Sequence, residues 1–154
     1  MTTALTTLVG KNTSITTEIG SGSVGKALAS QFARSDITVG ITNTRGPDSI
    51  ASIAKNLGDK VVPLTLQEAL KADVILLAVP FWSHRDVAKA AATWQGKIVI
   101  DVTNAYGVPL SELDNLPSSA VVAKALTGAL FSYHQDWVER LARAAQAEAA
   151  KKAG

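Results

Sequence analysis

The 154-residue chain contains no cysteine. Disulfides, thiolate zinc ligands and cysteine nucleophiles are thereby excluded, and the lack of thiols accords with a reducing cytoplasm. Histidine is nearly as scarce. His84 and His134 lie far apart and without metal-type spacing, so no metal site is expected. An excess of one charge is also lacking: 15 basic and 13 acidic residues leave a formal charge of +2. A nucleic-acid binder usually shows a basic face or stripe, so no nucleic-acid partner is expected. No apolar run approaches the roughly 18–20 residues that span a bilayer, so neither a transmembrane helix nor a membrane partner is expected. The opening "MTTALTTLVGKNTSITTE" has no basic segment followed by a continuous apolar core, so it does not read as a signal peptide. These absences together predict a cytoplasmic protein.

What is present is a globular composition, with 47% hydrophobic and 18% charged residues. The length suits one domain with a substantial core, and no repeat or linker divides it. Residues 1–154 therefore read as a single domain, with 1–13 as a lead-in.

Strand-like and helix-like segments alternate along it. Strands are expected at 14–20, 36–42, 60–64, 73–80 and 97–103, with a shorter one at 120–126. "DVILLAVP" at 73–80 is the clearest buried strand, while Pro63 favours a strand end or edge. Helices are expected at 23–35, at 47–58 between Pro47 and Gly58, from 65 where Thr65 and Glu68 have capping-box spacing, and at 83–94. From 128 to 150 the alanine-rich tract predicts one long C-terminal helix, on which Leu130, Phe131, His134, Trp137, Val138, Leu141 and Ala145 share helical spacing. The alternation predicts an α/β, Rossmann-like doubly wound fold: a mainly parallel sheet, helices on both faces, and ligands at the carboxyl ends of the strands.

"GSGSVG", residues 20–25, fits G-x-G-x-x-G between a strand and an amphipathic helix. Gly20 permits the tight turn, Gly22 lets backbone amides approach a pyrophosphate, and Gly25 allows close helix–strand packing. The helix opening at Ser23 and Val24 would point its positive end at the phosphates. Ser21 completes the loop. Gly20 to Lys26 also approaches the G-x-x-x-x-G-K of a phosphate-hydrolysing P-loop, but Ala27 stands where a magnesium-binding hydroxyl is needed. A glycine-rich turn without a ligand is the third reading.

About 20 residues beyond the last glycine comes "ITNTRGPDS", residues 41–49. In a dinucleotide-binding fold this loop meets the adenosine ribose. An acid there selects NAD, and an arginine accommodates the 2′-phosphate of NADP. Asn43, Thr44 and Arg45 stand there instead of an acid, and the fork of Arg45 suits a phosphate. Asp48 follows Pro47 and is expected to cap or open the next helix.

The segments "IGSGSVGKALA", "TNTRGPDS", "DVILLAVPFW", "GKIVIDVTN" and "VVAKAL", in this order and at these intervals, make residues 14 to 126 resemble the NADP oxidoreductases described as coenzyme-F420-dependent and their bacterial relatives. The resemblance implies pyrophosphate at Gly20 through Gly25 and 2′-phosphate at Thr44 and Arg45. It places Ala78, Val79, Pro80, Phe81 and Trp82 by the nicotinamide, and Asp101, Thr103 and Asn104 closing the site. It implies hydride transfer between NADP(H) and a small redox acceptor, a flavin or a deazaflavin such as F420. The cofactors carry the reactive atoms, so a dedicated acid or base can be absent. Ala105 stands where the family usually has proline, and Lys124 to Gly128 depart from the family's "K-A-F-N-T". Beyond them a single helix replaces further strands and helices. The cofactor half thus matches, and the acceptor half is altered.

His84 opens a helix beside this site and is a weak candidate proton donor; a partly exposed first-turn histidine is the plainer reading. Asp101 reads as a carboxylate that bonds loop amides. Tyr133, His134 and Trp137 read as packing. The stripe of Phe131, Trp137, Val138 and Leu141 suggests a homodimer. The rival functional reading is a non-catalytic NADP(H)-sensing module that dimerises through its last helix.

Overall fold

The structure, a computed structural model, describes residues 16–133. Six strands form one sheet: β1 Thr16–Ile19, β2 Val39–Thr42, β3 Val61–Pro63, β4 Val74–Leu77, β5 Ile98–Asp101 and β6 Leu130–Tyr133. Their order is β3-β2-β1-β4-β5-β6 and every pairing is parallel. The helices are α1 Ser23–Arg34, α2 Ala51–Leu57, α3 Leu66–Ala69, α4 His84–Ala90 and α5 Ser118–Ala125. This is the doubly wound order in which the chain reverses direction between β1 and β4.

The alternation of side chains along β4 shows how the two faces are filled. Val74 and Leu76 join Val39, Ile41 and Ile100 in a cluster with Ala29 and Phe32 of α1 and Ala54 of α2. Ile75 and Leu77 join Ile19 and Val99 in a second cluster with Val87 of α4 and Val122 and Leu126 at α5. All four β4 side chains are buried, which is why this strand reads as an unbroken apolar run. Pro63 ends β3 at the sheet edge, where no ladder donor is lost. The Thr65–Glu68 capping box opens α3 as its spacing predicts.

Two assignments from sequence are corrected. Residues 120–126, expected as a strand, lie on α5 and its C-cap. The β-branched pair Val121–Val122 suggests a strand, but Val122 and Leu126, one helical turn apart, are the fully buried positions. The long helix expected over 128–150 does not begin there, because Leu130–Tyr133 form β6 beside β5. Gly128, with φ of 99°, stands between α5 and that strand. Leu130 and Phe131 therefore belong to the sheet. His134, Trp137, Val138, Leu141 and Ala145 lie outside the described residues, and so does the rest of the expected helix and dimer stripe. The helix expected at 83–94 is shorter. It follows a 3-10 turn at Phe81–Ser83 and ends at Ala90. Among the described residues no helix is long and apolar enough to cross a membrane.

Candidate functional site

The carboxyl ends of β1, β2 and β4 converge on Gly20. Its amide donates to the Thr42 carbonyl at 2.9 Å, and the Ala78 amide donates to the Ile19 carbonyl at 2.8 Å. Gly20 has φ of +125°, and a Cβ there would stand 2.1 Å from the Ala78 oxygen. Glycine is required on both counts. This contact closes the floor of the crevice between β1 and β4, where the strand order reverses.

Gly22 differs. It is the N-cap of α1, and a Cβ added there would meet nothing within 4 Å. No side chain caps the helix and no acid lies in its first turn. The positive end of a 12-residue helix is thus left without a compensating negative group from its own first turn. Ser21 is half-buried, Ser23 and Val24 are exposed, and Gly25 is buried.

The loop after β2 stands beside the glycine loop. The Asn43 amide nitrogen donates to Ser21 Oγ at 3.2 Å, and the Arg45 backbone amide donates to Asn43 Oδ1 at 3.0 Å. Thr44 and Arg45 are exposed. Gly46, with φ of +94°, leads into a 3-10 turn at Pro47–Ser49, where Asp48 lies in the first turn as expected. Ser49, which the sequence does not single out, also bonds Asn43.

Beyond β4, Ala78 and Val79 are half-buried, and Pro80 is exposed. Phe81 is buried and meets the Trp82 ring edge to face, with centroids 4.8 Å apart. The Arg85 guanidinium lies 4.1 Å over the Trp82 ring. His84 is not the partly exposed first-turn residue its position suggests. It is 1% exposed, it packs against Phe81, and its Nδ1 meets the Phe81 carbonyl oxygen.

Beyond β5, Asp101 is buried and accepts a hydrogen bond from the Thr103 amide at 2.8 Å, as expected of a strand-end acid that shapes its loop. Asn104 is exposed, and its Oδ1 accepts from the Tyr106 amide at 2.9 Å. A shallow depression of about 400 Å³ follows, lined by Asn104, Tyr106, Leu110, Leu113 and Pro117 among others. No sequence motif marks it. Among the described residues no cluster of histidine and carboxylates suits a metal ion.

Strand order, glycine loop and neighbouring polar loop define a dinucleotide-binding α/β domain. The family model for NADP oxidoreductases, coenzyme F420-dependent, matches residues 18–105, and the chain belongs to that family. Among solved structures, a hypothetical protein from Sinorhizobium meliloti is similar at 34% identity and TM-score 0.73, covering 82% of this chain and 63% of that one. A protein from Arthrobacter sp. FB24, described as an F420-dependent NADP reductase, shares the fold at 21% identity and TM-score 0.60, covering 74% and 58%. A reductive aminase from Aspergillus terreus in complex with NADPH shares it at 18% identity and TM-score 0.59, covering 79% and 40%. The chain therefore spans between 40% and 63% of these relatives' lengths. No curated protein matches it.

Proposed function

We propose that the chain binds NADP(H) across its glycine and Arg45 loops and takes part in hydride transfer with a flavin or a deazaflavin such as F420. The observation that carries this reading is the pairing of an uncapped, acid-free helix end at Gly22 with an exposed arginine loop hydrogen-bonded to it. The open space at Gly22 suits close approach of a pyrophosphate to the backbone. Arg45 and Thr44 offer a guanidinium fork and a hydroxyl for a 2′-phosphate, where an acid would repel it. The family description and the NADPH-bound reductive aminase support the same cofactor.

When bound, NADPH supplies the hydride. The chain's own part is positioning. Ala78 and Val79 form the wall beside Gly20, Pro80 continues it, and Phe81 and Trp82 stiffen its far end through their ring contact. Asn104 stands on the neighbouring strand's loop. The buried His84 holds the Phe81 turn by its bond to that carbonyl, so its role is support rather than proton transfer. The F420 acceptor is supported by the family description and by the name of the Arthrobacter protein, and the flavin by the resemblance of the sequence alone.

The test is a parallel titration of NADPH and NADH on the natural chain and on Arg45→Ala, followed by nicotinamide fluorescence. Tighter NADPH binding that the substitution abolishes supports the reading. Failure to bind either cofactor refutes it. NADPH oxidation by FMN, FAD or F420 above the enzyme-free rate then identifies the acceptor, and oxidation by none of them returns the non-catalytic sensing module to the front.

A further inference from the structure

We propose that Asn43 is a positioning residue that sets cofactor specificity by holding the two phosphate loops at a fixed separation. This rests on the NADP(H) reading above and deepens it, because Asn43 acts through its neighbours and need not touch the cofactor.

The orientation of its carboxamide follows from its partners. A backbone amide can only donate, so the atom facing the Arg45 amide at 3.0 Å is Oδ1. The other end is then Nδ2, with two protons and two acceptors: Ser21 Oγ at 3.2 Å and Ser49 Oγ at 3.0 Å. The Ser49 hydroxyl sends its own proton to the Gly46 carbonyl at 2.7 Å. One side chain thereby joins the glycine loop, the turn carrying Arg45 and the 3-10 turn after it. Asn43 Oδ1 also lies within reach of the Ser49 hydroxyl, at 3.1 Å, so the single Ser49 proton has two acceptors and the Gly46 carbonyl is the nearer.

None of these bonds uses the Arg45 guanidinium or the Thr44 side chain, and Arg45 makes no ion pair among the described residues. Both stay exposed. A ligand with phosphate at both loops feels the separation between them, whereas a ligand with phosphate at one does not. Loosening Asn43 should therefore weaken NADPH more than NADH, with Arg45 still in place.

The experiment measures NADPH and NADH dissociation constants and melting temperatures for the natural chain, Asn43→Ala, Asn43→Ser, Arg45→Ala and the double variant Asn43→Ala/Arg45→Ala. The Asn43→Ala change should cut the NADPH preference about tenfold, the worth of one to two hydrogen bonds, with little change in melting. Serine can still accept from the Arg45 amide in a local turn but cannot reach Ser21, so Asn43→Ser should lose the preference as Asn43→Ala does; full recovery would place the effect in the turn alone and overturn the inference. The double variant should discriminate no worse than Arg45→Ala alone, because both changes remove the same contribution. A preference that Arg45→Ala removes and Asn43→Ala leaves intact overturns this inference alone, as do losses that multiply in the double variant. A natural chain with no preference overturns the cofactor reading and this inference together.

Discussion

Asn43 Nδ2 lies 3.2 Å from Ser21 Oγ, so the loops that follow β1 and β2 are joined by a side-chain hydrogen bond as well as by the sheet beneath them. A strand pair alone fixes the loops only at their bases. The bond extends that tie to the first residue past β2 and the second past β1.

Two glycines in one motif should respond oppositely to the same change. Gly20→Ala places a Cβ against the Ala78 carbonyl in a backbone region that disfavours side chains. It should cost about 3 kcal/mol or more in denaturant unfolding. Gly22→Ala meets open space at φ of −73°. It should leave stability within about 0.5 kcal/mol while weakening NADPH, since the added methyl stands where the backbone must be approached. Equal stability losses in the two variants would contradict this division.

The buried His84 provides a second test. His84→Leu removes the side-chain donor to the Phe81 carbonyl and leaves that oxygen only its bond from the residue 84 backbone amide. The cost should be about 0.5–1.5 kcal/mol in urea unfolding. His84→Asn carries an amide nitrogen near the position of Nδ1 and should recover part of it. If both variants lose the same amount, ring volume rather than the hydrogen bond is what matters there.

Glu68 supplies the pH dependence. The Thr65 backbone amide, and after it the Thr65 hydroxyl, donate to its carboxylate at 2.8 Å each and hold its pKa below the ordinary 4.5. A depressed acid adds stability that is complete above its unfolded value and is lost as pH falls through the folded one. The start of α3 should therefore loosen only below pH 4.5. A carboxyl-carbon NMR titration should show Glu68 moving up toward its ordinary value in Thr65→Ala; an unmoved titration would refute the assignment.

Much of this was legible in the residues because the relevant physics is local. Val74 to Leu77 are apolar on both faces, which a central parallel strand demands. Thr65 and Glu68 meet because the N-cap and the third helical residue face each other across the first turn. Gly20 and Gly22 were named for turn and approach, although the Ala78 carbonyl pressing on Gly20 is a tertiary fact. The failures came where short segments suit either structure. "AVVAKAL" carries a β-branched pair but is buried with a period of four. "LFSY" joins the sheet because β5 offers it an edge: the Leu130 amide reaches the Lys97 carbonyl at 2.8 Å. Ser49 and the burial of His84 left no local trace, since each depends on what the fold brings alongside.

The wholly parallel sheet also governs how the molecule must assemble. Thr16 pairs on one side with Val39 but on the other with Val74, and among the described residues no hairpin provides a nearby first step. Pairings so distant along the chain must overcome loop-closure entropy before they return any stability, which slows folding. During synthesis β1 waits with one side open until β4 has been made. The contact between Gly20 and Ala78 can form only then, so the floor of the crevice is completed late, and the chain must stay soluble with that seam unsealed.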